Sequence, residues 1–231
     1  MTAGGRVAAF GHAAVLTAIA LGSCLLILAM ARYPGGTALN PVSAGHSFWF
    51  NFLCDLTNDV AVNGRPNREG AVFAQMALGA FCVALLVFWI TLPASFPSCP
   101  PRLSVGIRVC GVLSVAGLLA VPVAGGLLHV AAVFTSFVPA LIAGLLALVG
   151  TVRYARSRAL VAIASATVSV SVLDSVLYAR SYLIHPRVVV PALPLLQRLA
   201  LLLMLAWMAI VAGRALWFLR TEGRGGPRVT R

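Results

Sequence analysis

Six apolar runs of about twenty residues alternate along the chain with short polar interruptions. A bilayer core about 30 Å thick needs about 20 consecutive apolar residues to be crossed by a helix. The pattern therefore predicts an all-α polytopic membrane protein, a six-transmembrane-helix bundle forming one membrane domain over 1–231. Its spans are expected at about 9–31, 70–92, 103–123, 127–149, 158–178 and 195–218. Tyr33-Pro34-Gly35-Gly36 ends the first run, and Pro93, Pro97, Pro100 and Pro101 stiffen the connection after the second. Gly125-Gly126 leaves so short a turn that the third and fourth helices must be antiparallel neighbours. Pro139, midway along the fourth, should kink it. Arg6, the first apolar run and Ala29-Met30-Ala31 imitate a secretory signal with its cleavage site. The run exceeds the roughly 7 to 15 residues of a signal core, so an uncleaved first span is expected.

The connection over 33–67 is the long exception, and it contains His46 to Asn67, HSFWFNFLCDLTNDVAVNGRPN. Long connections in compact folds are usually functional or disordered, and the apolar content here argues against disorder. Read as an interfacial helix over 47–59, the segment places Ser47, Asn51, Asp55 and Asp59 in one polar stripe with Asn58 beside it. Phe48, Trp49, Phe52, Leu53 and Leu56 cover the remaining surface, so Trp49 and Phe52 are expected to be buried against the bundle. Asn63-Gly64 signals a turn, Pro66 blocks helix continuation, and Asn67 is placed to cap the second span.

Composition agrees with hydropathy: 61% of residues are hydrophobic and 10% charged, with a mean hydropathy of +0.99. Soluble domains carry about 25% charged residues. The formal charge of +12 comes from 17 arginines and no lysine. Those arginines sit between apolar runs rather than on a basic helix with interleaved aromatics, which makes nucleic acid a poor partner and membrane lipids the expected one. Positively charged loops stay cytoplasmic. With both termini inside, 11 arginines fall on the cytoplasmic side and 6 outside, so a cell-membrane protein with cytoplasmic N- and C-termini is expected. That orientation collects Asp55, Asp59, Glu69 and Asp174, with His46, His129 and His185, on or near the outer face. The five cysteines show no C-x-x-C pairing, and Cys24, Cys82 and Cys110 lie inside apolar runs. Oligomeric state is not legible.

Candidate chemistry therefore gathers outside. Asn51, Asp55 and Asp59, with His46, could collect a cation, bind a polar head group or divide acid and base roles. The alternative is a solvated face of the interfacial helix. Asp174, inside the fifth span, is costly there and is a functional candidate by default, unless Arg180 or Arg198 pairs with it to tie helices together. His129 lies one turn into the fourth span, as a member of the same site or as an interhelical tether. One cavity between the second, fourth and fifth spans could hold Asp55, Asp174 and His129 together. Zinc is the one candidate cofactor, with His46, His129 and His185 as ligands if any; no H-E-x-x-H or paired spacing supports it. His12, at the inner end of the first span, reads as structural.

The block SFWFNFLCDLT…VNGRPN, followed by a glycine- and alanine-rich span, resembles a bacterial family of six-span membrane proteins of unknown function, distantly similar to the DRAM and FGF-receptor-activating-protein family. The matching positions are Ser47, Asn51, Asp55, Asn63, Gly64 and Asn67. Where that family commonly reads S-D-L-G, this chain has Cys54-Asp55-Leu56-Thr57. The resemblance implies six spans and no settled activity. From the residues themselves, the favoured function is binding of a lipid or small polar ligand in an outward-facing polar cavity. The alternative is a membrane-embedded hydrolase or lipid-modifying enzyme of the ceramidase-like kind, although the seven spans and H-x-x-x-H pair typical of that group are missing. A small-solute transporter comes third.

Overall fold

The computed structural model describes residues 3–96, 98–155, 157–184 and 190–223. Six helices carry the fold: α1 Ala3–Arg32, α2 Arg68–Thr91, α3 Pro101–Ala120, α4 Gly126–Gly150, α5 Arg158–Ala179 and α6 Leu193–Gly223. Short 3-10 or π turns extend α2, α4 and α5. All six are long and apolar enough to cross a membrane. They are apolar nearly all round, as spans are and surface helices of soluble domains are not. Side chains such as Leu21, Val83, Val109, Leu145, Val176 and Leu202 face outward, where lipid would cover them. The chain is a multi-pass membrane protein.

The helices close a ring in chain order, each packed on the next and α6 returning to α1, with the α4–α5 seam the thinnest. Small residues make the close contacts: Ala74, Ala84, Ala143, Ala147 and Ala164 are all buried. Gly117 of α3 shows why. A Cβ there would lie 2.7 Å from the Thr135 carbonyl oxygen of α4. That carbonyl is the one Pro139 leaves without its helical N–H, so the proline is accommodated at the tightest part of the α3–α4 contact, and α4 continues through it as one helix. At the end of the ring away from the long connection, Phe88, Trp89 and Trp207 interlock with ring centroids 5.0 to 6.1 Å apart, anchoring the main core.

The connection from Tyr33 to Asn67 is ordered and folds over the ring end where α1 finishes and α6 begins. It does so by backbone pairing rather than as an interfacial helix over 47–59. Ser47–Asn51 makes a single turn, and only Cys54–Thr57 is helical, as one 3-10 turn. The reason lies in the polar side chains. Asn51 Oδ1 accepts the Ser47 N–H at 2.8 Å and Asp55 Oδ2 accepts the Phe52 N–H at 2.9 Å, offering the backbone local partners that compete with a helical ladder. Trp49 consequently points outward, 56% exposed, and Phe52 is half-buried, contrary to the burial expected of both. Leu56 is the residue that fills the space beneath, packed with Ala29, Tyr33, Ala61 and Ala74.

Two further details fix the connection. Gly36 has φ +86°, and a Cβ there would lie 2.4 Å from the Asn63 N, so only glycine lets the two arms of the loop meet. The Asn63-Gly64 turn closes with Gly64 N–H donating to the Ala61 carbonyl at 2.9 Å. Asn67 precedes α2 as expected but does not cap it. Its side-chain amide instead donates to the carbonyls of Leu56, 3.1 Å, and Asn58, 2.8 Å, tying the helix start to the 3-10 turn.

Candidate functional site

The expected polar stripe separates into a buried hub and an exposed remainder. Asn51, 0% exposed, is the hub. Its side-chain amide donates to the Gly36 carbonyl at 2.7 Å and to Asp55 Oδ2 at 3.0 Å, while its own carbonyl accepts from Arg198 Nη1 at 2.6 Å. Arg198, 2% exposed, enters from the second turn of α6, also donates to the Pro194 carbonyl at 2.9 Å, and places Nη2 3.2 Å from His46 Nε2. The guanidinium lies 5.0 Å from the centroid of the Phe48 ring. His46 meets Tyr33 edge-on at 6.0 Å, and the Tyr33 hydroxyl accepts the Val62 N–H. Asp59 takes no part: its side chain is exposed and only its backbone carbonyl is used, by Asn67 N–H.

Electrostatics follow the burial. Burial, then the neighbouring Arg198, depresses the His46 imidazole to about 4, so it is neutral at physiological pH and its Nε2 can accept from the arginine. Burial raises the Asp55 carboxyl above its usual range, against the stabilising hydrogen bonds from Asn51 and Phe52 and the charge of Arg198. Burial pushes the Cys54 thiol up to about 12, leaving it unreactive as a nucleophile. Most polar atoms of this cluster are therefore occupied within the protein, the buried Arg198 Nε being an exception. It latches the connection to α6 and leaves little with which to hold a ligand.

The other expected members lie elsewhere. His129 Nδ1 donates to the Val121 carbonyl at 3.0 Å, so it ties the α3–α4 turn. His185 lies outside the described residues. His12 is buried in α1, in keeping with a structural role. Among the described residues, no three His, Cys, Asp or Glu side chains gather closely enough to hold a metal ion. The cavity that Asp174 faces is lined by neither Asp55 nor His129.

Asp174 does face a cavity, of about 240 Å³, inside the ring. All of α2 to α6 contribute to its wall: Trp89, Ser114, Ser136, Asp174 and Trp207 among them. Neither Arg180 nor Arg198 pairs with the carboxyl; among the described residues the one ion pair is Arg32–Glu69, on the surface. The buried Asp174 Oδ1 has no hydrogen-bond partner, nor has the indole N–H of Trp89, which is 2% exposed. Ser171 and Ser175 line the wall on the same helix face as Asp174, while Ser114 and Thr167 turn their hydroxyls back to their own helices, at 2.7 and 2.8 Å. Above the cavity, Tyr178 and Tyr182 stack at 4.4 Å and Phe134 and Phe137 pack against Tyr178. No protein-family model, curated protein or solved structure matches the chain.

Sequence reading found Asp174, with Thr167 and Ser171 at helical spacing on the same face of the fifth span, and missed the wall that faces them. Ser114 and Ser136 are single hydroxyls inside apolar runs, and only the ring closure brings them to one wall. Arg198 carried a legible signal, a guanidinium one turn into an apolar run, whose cost demands a partner.

Proposed function

We propose that this membrane protein binds a lipid or small polar ligand in the cavity inside its helix ring, with Asp174 as the principal polar contact. One observation carries the reading: a carboxyl without a partner on the wall of a cavity large enough for an organic group. Buried polar groups are almost always paired, and leaving one unpaired costs about 1 to 3 kcal/mol, more when charged. Such a cost persists where an occupant removes it. The polar cluster at the long connection belongs to this reading as the fastening of that connection over the ring end and not as the binding site. The orientation with both termini cytoplasmic, which places the connection outside, is part of the proposal and rests on the arginine distribution. Kinship with the six-span bacterial family remains a proposal resting on the loop motif.

Extraction of the protein in a mild detergent followed by mass spectrometry of what co-purifies tests the reading. Ala140→Phe, which puts a ring into the cavity, is the comparison. A species retained by the native protein and lost from the filled variant is expected. A native protein carrying nothing beyond what Ala140→Phe carries would overturn the proposal.

A further inference from the structure

Resting on the cavity reading, we infer the chemical class of the occupant: an amphiphile bearing an ammonium group, seated with its nitrogen at Asp174 and its alkyl part along the apolar wall. The lining holds one carboxylate and no cationic side chain. Trp89, Trp207 and Phe137 also line it, the two indoles almost wholly buried in its wall. A carboxylate among aromatic residues, in surroundings of low dielectric, is a combination that recognises an ammonium: the carboxylate neutralises it and a ring such as that of Phe137 can attract it through its quadrupole. The hydroxyls of Ser136, Ser171 and Ser175 have no partner among the described residues and can accept from the ammonium N–H groups.

Other occupants fit less well. An anionic head group would meet the carboxylate with like charge where screening is weakest. A divalent cation requires several oxygen ligands with more than one carboxylate as a rule, and here a single carboxylate stands among neutral hydroxyls. A neutral alcohol would satisfy a hydrogen bond and leave the charge uncompensated. Leu85, Leu118, Leu141 and Met204 on the same wall supply the apolar bed for a chain.

The test uses three probes of equal chain length, decylamine, decanol and decyl phosphate, added to the full-length protein in an uncharged maltoside detergent at pH 7. Emission of Trp89 and Trp207, which line the cavity, reports occupancy, and thermal stability provides a second readout. Decylamine is expected to bind saturably and more tightly than the other two. Asp174→Asn, nearly the same size, should weaken decylamine by about tenfold or more and leave decanol unchanged. Phe137→Leu should weaken decylamine in the same direction, which keeps the test available if the first variant folds poorly. Asp55→Asn, away from the cavity, should do neither. Equal binding of decylamine and decanol by the native protein, or indifference of decylamine to both variants, would overturn the ammonium assignment and leave the cavity reading standing. The same emission change produced by sodium chloride alone would also overturn it, in favour of an inorganic cation. If none of the three probes alters emission or stability, both the assignment and the cavity reading fail.

Discussion

Arg198→Ala should release the long connection from α6, and the size of the effect can be worked from its contacts. The Pro194 carbonyl lies in the first turn of the same helix and keeps a helical partner, so losing that hydrogen bond costs little. The Asn51 carbonyl has no other donor among the described residues, and a buried carbonyl left unpaired costs about 1 to 3 kcal/mol. The guanidinium over the part-exposed Phe48 ring adds about 1 kcal/mol. Removing a buried charge returns part of this, so roughly 1 to 3 kcal/mol of local stability should be lost. Cys54 reports that loss directly. Its thiol, half-buried and pushed up to about 12 by burial, reacts slowly while the loop is closed and faster once it opens, and Cys24, Cys82, Cys99 and Cys110 can be replaced to leave it alone. At 1.36 kcal/mol per factor of ten, labelling of Cys54 should accelerate by roughly fivefold to a hundredfold. Arg198→Lys, which keeps the charge and loses the planar fork, should fall between. An acceleration under about threefold, with unchanged melting temperature, would mean that the loop is held by its own backbone pairing and that Arg198 latches nothing.

Four further outcomes are expected. His46 binds its proton near 4 when folded and near 6.5 when unfolded, so its stabilisation is complete above about 6.5 and lost as pH falls toward 4. Asp55, raised by burial, works in the opposite sense, gaining stability on acidification, so the His46 contribution is read as the difference between native and His46→Gln melting curves over that window; parallel curves would refute it. Leu56→Ala should cost about 2 to 5 kcal/mol in detergent while the exposed Trp49→Ala costs about 1 kcal/mol or less, and the reverse order would restore a buried interfacial helix. In a protein otherwise without cysteine, Val60→Cys should label from outside intact cells and Cys99 only after permeabilisation; the opposite pattern would invert the proposed orientation. Gly117→Val should push α3 from α4 and cost about 1 to 3 kcal/mol or more, which unchanged thermal unfolding would disprove.

The architecture was legible because hydropathy over twenty residues averages out everything a single side chain can do. The spans, the Gly125-Gly126 turn and the ordered long connection all rest on such averages or on residues with one dominant backbone habit. The polar segment failed as a helix because that reading used spacing alone. At Asn51 and Asp55, side-chain oxygens compete for the backbone N–H groups that a helix needs, and spacing carries no information about who wins. Asn67 misled for a related reason: it occupies the capping position, but the Leu56 and Asn58 carbonyls reach its amide first. Both outcomes depend on chain segments meeting in space, as does the cavity wall assembled from five helices.

The contrast between Asp55 and Asp174 gives a physical basis for separating fastening from binding in such a bundle. Both are carboxyls taken from water, and both need a compensating interaction. Asp55 finds its own within the same connection, from Asn51 and the Phe52 N–H, with Arg198 nearby. Any ligand would have to displace protein contacts already in place, so a gain there is largely cancelled by a loss. Asp174 has no such contacts to give up. A ligand that satisfies it is opposed only by whatever water the cavity holds. The free energy available for binding is greatest where the protein has left a polar group unmet, and for that reason the proposed site lies between the helices, with the conspicuous motif proposed as its support.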